Sequence, residues 1–126
     1  MENKKVKLED FKAAISSTIK SLSNSQKIDI SFGNQISSSN KNSLKLPHID
    51  YNSKKVNYEE IRAIADSKSL RIRFSDIKTL RKFEPEGNIS KKLYKIAEEI
   101  RCEKIGTSYF SGVKKNIENY YYKRIS

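Results

Sequence analysis

The stretch NYEEIRAIADSKSLRIRFSDIKTLRK (57–82) decides the fold. Asn57 with Glu60 three residues on is close to a capping box, in which each side chain satisfies a backbone donor of the first turn, so a helix is predicted to start near Tyr58. From there to about Lys82 the apolar residues Tyr58, Ile61, Ile64, Ala65, Leu70, Ile72, Phe74, Ile77 and Leu80, followed by Phe83, cover more than one narrow stripe. A helix apolar over so wide an arc is a central one, packed on several sides.

Upstream, Leu8, Phe11, Ile15, Ile19 and Leu22 recur at spacings of three and four and predict an amphipathic helix over 8–22. KIDISF (27–32) alternates Ile28, Ile30 and Phe32 with polar neighbours, as a half-buried edge strand does. Gly33 ends it, and GNQISSSNKN (33–42) reads as a solvated loop. Leu44 and Leu46 alternate again before Pro47, which predicts a second strand paired with the first as a hairpin with a long connection.

Downstream, Pro85 and Gly87 stop the central helix, and Asn88 or Ser90 can cap the next one. In that helix Ile89, Leu93, Ile96, Ala97 and Ile100 hold a three/four spacing and predict a buried face, with the helix running through Ile105. Gly106 and Gly112 each weaken a helix by about 1 kcal/mol relative to Ala, so a break is expected between them. Val113, Ile117 and Tyr120 then restore a helical stripe to the end. The predicted fold class is α+β: a mostly helical single domain, 1–126, with a small two-stranded sheet. Residues 1–7 precede the first stripe and are expected to be disordered.

The chain of 126 residues carries 26 Lys+Arg against 15 Asp+Glu, a formal net charge of +11. One core fits that length and two do not. No run approaches the ~18 apolar residues of a membrane span, and MENKKVKLED has no apolar segment behind its charges, so a soluble, cytoplasmic protein without membrane contact is expected. The single Cys102 has no intrachain partner and suits a reducing compartment. Charged residues at 33% and a mean hydropathy of −0.75 lean toward disorder, but apolar periodicity in three segments argues for a folded chain. The positive charge comes from 20 Lys and 6 Arg beside 10 Asn, 18 Ser and 7 Tyr, a mixture that AT-rich codon usage also produces. It is therefore weak support for a nucleic-acid partner.

Motifs for chemistry are few. His48 stands with Asp50 in a loop, where a metal needs three or four converging ligands, so a surface or packing role is expected. Asp66-Ser67-Lys68-Ser69 is close to D-x-S-x-S, but its spacing and helical context are wrong for a hard cation. Neither G-x-x-x-x-G-K-[ST] nor G-x-G-x-x-G occurs, which excludes a stand-alone ATPase. Cys102 lacks a His partner and no Ser sits in a G-x-S-x-G turn, so no nucleophile is expected. In NIENYYYKRIS (116–126) three adjacent Tyr point about 100° apart on a helix and form no single stacking platform for bases.

IRAIADSKSLRIRFSD (61–76), LRKFEP (80–85), IAEEIRCEKIG (96–106) and SGVKKNI (111–117) resemble, in order and spacing, the N-terminal region of the CobT subunit of aerobic, ATP-dependent cobaltochelatase. FKAAISSTIKSL, KIDISFG and LKLP extend the likeness upstream to about Leu8. The resemblance implies a place in a complex that inserts Co²⁺ into hydrogenobyrinic acid a,c-diamide during cobalamin synthesis. Its partners would be an AAA+ subunit that hydrolyses ATP with Mg²⁺ and a large corrin-binding chelatase subunit. The family's C-terminal von Willebrand A-type domain, with its metal-dependent adhesion site, is absent from this sequence. The chain is thus expected to belong to a longer protein and not to chelate cobalt alone. The family's acidic middle segment offers a target for the basic surface, effective within the ~8 Å screening length of physiological salt.

The order of strands, long helix and second helix with E-x-x-R-x-E also resembles zincin-type metallopeptidase domains. Laid on that pattern, the two His positions fall at Ser67 and Arg71, the catalytic Glu at Lys68 and the third ligand at Glu98. Ser and Arg cannot hold zinc. The expectation is a degenerate zincin-like core in which Arg71 replaces the metal and forks onto Glu98 between the helices. Asp66, Arg101 and Glu103 are candidate contacts to another subunit, with structural pairing as the alternative. The reading is a non-catalytic assembly module of a cobaltochelatase subunit, with no catalytic residues, cofactor or metal of its own. The alternative is a small basic nucleic-acid-binding module.

Overall fold

In the computed structural model the backbone is described for residues 2–33, 43–49 and 57–125, and side chains within those ranges from residue 7 onward. The predicted loop over 34–42, and Asp50, lie outside the described residues. Five helices and two strands follow in the order α1 (Glu2–Ser23), β1 (Asp29–Phe32), β2 (Ser43–Leu46), α2 (Tyr58–Phe74), α3 (Ile77–Lys82), α4 (Asn88–Tyr109) and α5 (Ser111–Ile125). This is the helix-dominated α+β fold expected. Helix α1 begins at Glu2, inside the stretch expected to be disordered.

The stripe of α1 faces the core as its spacing requires: Leu8, Ile15, Ile19 and Leu22 are buried and Phe11 half-buried. Asn24 at φ 58° turns the chain out of α1, and the Ser25 N–H donates to the Lys20 carbonyl at 3.1 Å. This left-handed residue closes the helix end by satisfying one of its last carbonyls. One core joins α1, the sheet and α2 through Leu8, Ile15, Ile19, Ile28, Leu44, Leu46, Ile49, Ile61 and Ala65. A second core, Leu22, Leu70, Val113 and Ile117, joins α2 to α5 and the end of α1. Helix α2 touches α1, β2, α4 and α5, so it is the central rod its wide apolar arc predicts.

The sheet corrects the hairpin expectation. β1 and β2 run parallel, with Asp29 opposite Ser43 and Phe32 opposite Leu46. Alternation of apolar and polar residues places side chains on faces but carries no information about strand direction. Gly33, at φ 77°, donates its N–H to the Leu46 carbonyl at 2.7 Å, and a Cβ there would stand 2.8 Å from His48 Cβ. Its positive φ and the close approach of His48 both require glycine.

The central rod is shorter than predicted. Asn57 caps α2 by accepting from the Glu60 N–H at 3.0 Å, but the helix stops at Phe74, where Ser75 turns extended. Asp76 then starts α3, accepting from the Lys78 N–H at 3.1 Å and the Thr79 hydroxyl at 2.9 Å. A local cap competes with helix continuation and wins here. The cap of α4 is Gly87 at φ 97°, with no side-chain bond, rather than Asn88 or Ser90. The break between Gly106 and Gly112 falls at Phe110, which is extended.

The face of α4 is the largest departure. Ile89, Leu93, Ile96 and Ile100 are exposed rather than buried, as is Ala97. The residues that α4 buries are Cys102, Glu103 and Gly106. Gly106 lets α4 approach α2 closely, and that contact sets the helix's rotation, leaving the apolar stripe outward.

Candidate functional site

The polar residues singled out in the sequence gather where α2 crosses α4 and α5. Spacing of three and four puts Asp66, Ser69 and Leu70 on the inner face of α2, with Ser67 beside them. Ser69, fully buried, satisfies its hydroxyl within its own helix by donating to the Ala65 carbonyl at 2.7 Å. Ser67 reaches across to α4, donating to Glu103 Oε1 at 2.5 Å. Glu99 Oε1 lies 3.4 Å from the same hydroxyl. From α5, the Tyr121 hydroxyl donates to both carboxyl oxygens of Glu103 at 3.0 Å. Burial and this acidic neighbour push the Tyr121 phenol upward. One carboxyl group, 7% exposed, thereby ties three helices together.

A second buried carboxyl joins α2 to α5. Asp66, 3% exposed, accepts from Asn116 Nδ2 of α5 at 2.9 Å. Burial raises its pKa, against the opposing effects of the Asn116 bond and the Arg62 charge. A cleft of about 120 Å³ remains at the crossing, lined by Ala63, Ser67, Lys68, Glu103, Tyr121 and Arg124 among others. Lys68 donates out of it to the Lys45 carbonyl of β2, and burial lowers its pKa.

The Glu98 carboxyl takes Arg101, one turn along its own helix, as its ion pair. Arg101 Nη2 also donates to the Phe74 carbonyl at 2.9 Å, so α4 supplies a cation to the C-terminal end of α2, where helix carbonyls favour one. The Cys102 thiol donates to Glu98 Oε1 at 3.3 Å. The Arg101 bond, foremost, holds Glu98 below the usual carboxylate range, with the Cys102 bond and the Arg101 and Arg71 charges assisting against burial. Arg71 thus acts on Glu98 as a nearby charge from α2, while the fork belongs to Arg101. Burial, together with that carboxylate, pushes the Cys102 thiol up to about 11.

These side chains do not fit zinc. Ser67 and Arg71 carry no zinc-ligating group at the positions where the zincin pattern has imidazoles, and Glu98 is committed to Arg101 and Cys102. Among the described residues no group of three or more His, Cys, Asp or Glu is placed to hold a metal ion. His48 lies at the β2 margin, whereas Cys102 is buried on α4. No helix is long and apolar enough to cross a membrane among the described residues.

The cobalamin biosynthesis protein CobT family model matches residues 5–126. The chain belongs to the CobT family. Its role is accordingly in cobalamin biosynthesis. The match spans α1 to α5, so the crossing just described is the interior of a CobT-family domain. No solved structure matches the chain. The residues sequence reasoning missed are Asn116 and Tyr121: their partners lie 50 and 18 positions away, beyond any local spacing signal.

A second feature is an open groove of about 740 Å³ between the start of α2 and α5. Phe11 and Tyr58, in edge contact with centroids 4.5 Å apart, form its apolar side. Arg62, Lys115, Lys123 and Arg124 supply its cations, with Glu59 holding Lys123 in an ion pair.

Proposed function

We propose that this CobT-family chain is a non-catalytic module of cobaltochelatase, acting in assembly of the ATP-dependent complex that inserts cobalt into hydrogenobyrinic acid a,c-diamide. The observation that carries the reading is the self-satisfaction of the crossing. Ser67, Glu98, Arg101, Glu103 and Tyr121 are bonded to one another or to backbone, and Asp66 to Asn116, which makes them a scaffold holding α2, α4 and α5 in register. Cobalt is the complex's substrate, and ATP with Mg²⁺ serves its AAA+ subunit.

The docking surface is the basic groove between α2 and α5. An acidic segment of a partner would meet Arg62, Lys115 and Arg124 there, with charge setting encounter rate and orientation more than final affinity. Asp66 supports this surface from inside by holding Asn116 of the groove wall; Glu103 ties α4 to α2 and α5, and Arg101 holds the α2 terminus. The AAA+ subunit and the large corrin-binding subunit are the partners this reading names.

The test is retention of the chain by each of those two subunits separately, at low and high salt. Retention by at least one, weakened by Lys115→Glu with Arg124→Glu, is the expected result. Retention by neither, together with salt-sensitive binding to DNA or RNA at ~50 mM salt, would replace the reading with a nucleic-acid module.

A further inference from the structure

The two strands run parallel and therefore end at one margin, β1 at Phe32 before Gly33 and β2 at Leu46 before Pro47 and His48. In open α/β sheets ligands bind outside the carboxyl ends of the strands, where the connections leave in different directions and a crevice opens between them. An open crevice of about 920 Å³ lies at this margin, within the size range of small-molecule sites. Phe32 and Pro47 line it from the strand ends and Ile64 from α2, which gives it an apolar wall. Lys68 stands one helical turn after Ile64 on the same face of α2 and lines the crevice with it. The crevice shares no lining residue with the groove between α2 and α5.

Its charges are of one sign. Lys45, Lys68 and the His48 imidazole line it, and among the described residues no carboxylate does. A third lysine, Lys12 of α1, holds its ammonium 5.1 Å from the centroid of the Phe32 ring. Lys68 spends one of its three N–H donors on the Lys45 carbonyl and keeps two for a ligand. Burial, foremost, and the Lys45 charge hold the Lys68 ammonium below its ordinary value, against the Glu99 carboxylate. Glu99 lines the cleft at the helix crossing and not this crevice. Two ammonium groups acting on each other across a crevice without a carboxylate are relieved by an anion between them. His48 is kept at the site by packing. A Cβ on Gly33 would stand 2.8 Å from His48 Cβ and 3.1 Å from its Nδ1, so glycine is what admits the imidazole this close to the end of β1.

The donor set selects among anions. Arginine, whose planar fork matches a carboxylate, does not line the crevice among the described residues, whereas lysines act as compact point charges. Two ammonium groups and an imidazole suit a tetrahedral dianion with three free oxygens better than a planar monoanion. The wall of Phe32, Pro47 and Ile64 takes an apolar body joined to that anion, with the Phe32 ring suited to an aromatic one. We propose that the margin where β1 and β2 end is a binding site for a small-molecule phosphate monoester with an apolar or aromatic body, its phosphate held by Lys45, Lys68 and His48. The site binds and makes or breaks no bond, and it stands independently of the assembly role.

The experiment is an amide chemical-shift titration of the whole, isotopically labelled chain at ~150 mM salt, with phenyl phosphate, inorganic phosphate and benzenesulfonate in separate arms. Phenyl phosphate is expected to saturate with a dissociation constant on the order of 1 mM and to move Gly33, Lys45 and His48. Inorganic phosphate lacks the apolar body and benzenesulfonate carries a single charge, so each is expected to bind at least about fivefold more weakly. Lys45→Gln and Lys68→Gln should each weaken phenyl phosphate roughly fivefold, while Lys95→Gln, at an exposed position of α4, leaves it unchanged. Shifts that do not saturate, that centre on Lys115 and Arg124 instead, or that are indifferent to Lys45→Gln overturn the site. Equal affinity for inorganic phosphate or for benzenesulfonate overturns the ligand class. Should Lys68→Gln unfold the chain by releasing its tie to β2, the exposed Lys45→Gln decides alone.

Discussion

Gly106 of α4 lies against the Leu70 side chain of α2, so closely that a Cβ added to Gly106 would stand 2.8 Å from Leu70 Cγ. Leu70 is fully buried, and its branch occupies the space a side chain at 106 would need. This contact fixes the depth at which α4 crosses α2, and with it the distances across which Ser67 reaches Glu103.

Gly106→Ala is therefore expected to destabilise the chain by about 1–3 kcal/mol through overpacking, although alanine is the better helix former. Gly112 meets nothing within 4 Å, so Gly112→Ala should be neutral or stabilising by up to about 1 kcal/mol. Thermal or denaturant unfolding of the two variants checks the opposite signs.

Ser67 and Tyr121 share Glu103 as acceptor. Ser67→Ala and Tyr121→Phe should each cost about 1–2 kcal/mol, and the double variant should cost measurably less or more than their sum because the two hydroxyls compete for one carboxyl group. A double-mutant cycle in urea supplies the coupling.

Cys102 is fully buried and its thiol is pushed up to about 11. At pH 8 only about one thiol in a thousand is ionised in the folded chain, so alkylating reagents should label it only on unfolding. Labelling followed by mass spectrometry, with and without denaturant, measures the difference.

Two carboxyl groups respond to pH in opposite directions. Glu98 is held below its ordinary value, so its contribution is present above the unfolded value of about 4 and fades as pH falls through the folded one. Asp66 is raised by burial, so its contribution is fullest below its unfolded value of about 4 and is lost as pH rises through the folded one. Glu98→Gln should lose stability relative to the parent at pH 7 and converge with it in acid. Asp66→Asn should show the reverse trend, holding or gaining at pH 7. Unfolding curves from pH 3 to pH 8 distinguish them.

How much of this was legible follows from how each element packs. Leu8, Ile15, Ile19 and Leu22 betray α1 because a helix covered on one side repeats its buried residues every three or four positions. The arc of α2 betrays its central place for the same reason. The stop at Ser75 was masked by Phe74, Ile77 and Leu80, which carry an apolar period across it, while Asp76 and Thr79 held the opposing signal. Helix α4 misleads because its buried contacts are Cys102, Glu103 and Gly106, residue types that announce no core, while its most apolar stripe faces outward. The polar crossing was legible as a place, through Ser67, Arg71 and Glu98, but not as a set of bonds. Its partners Asp66 and Asn116 are 50 positions apart, and Ser67 and Glu103 are 36 apart, joined only by the tertiary fold.

A crossing of α2, α4 and α5 that serves as scaffold alone, as proposed, contributes no group to the reaction. Cobalt insertion by the complete cobaltochelatase complex, carrying Ser67→Ala or Glu98→Gln in this domain, tests it most directly when turnover is normalised to assembled complex. Turnover within about twofold of the parent is expected, with any loss traced to reduced assembly or stability. A fall of about a hundredfold or more in complexes that assemble fully, the size of effect expected from removing a catalytic group, would contradict it.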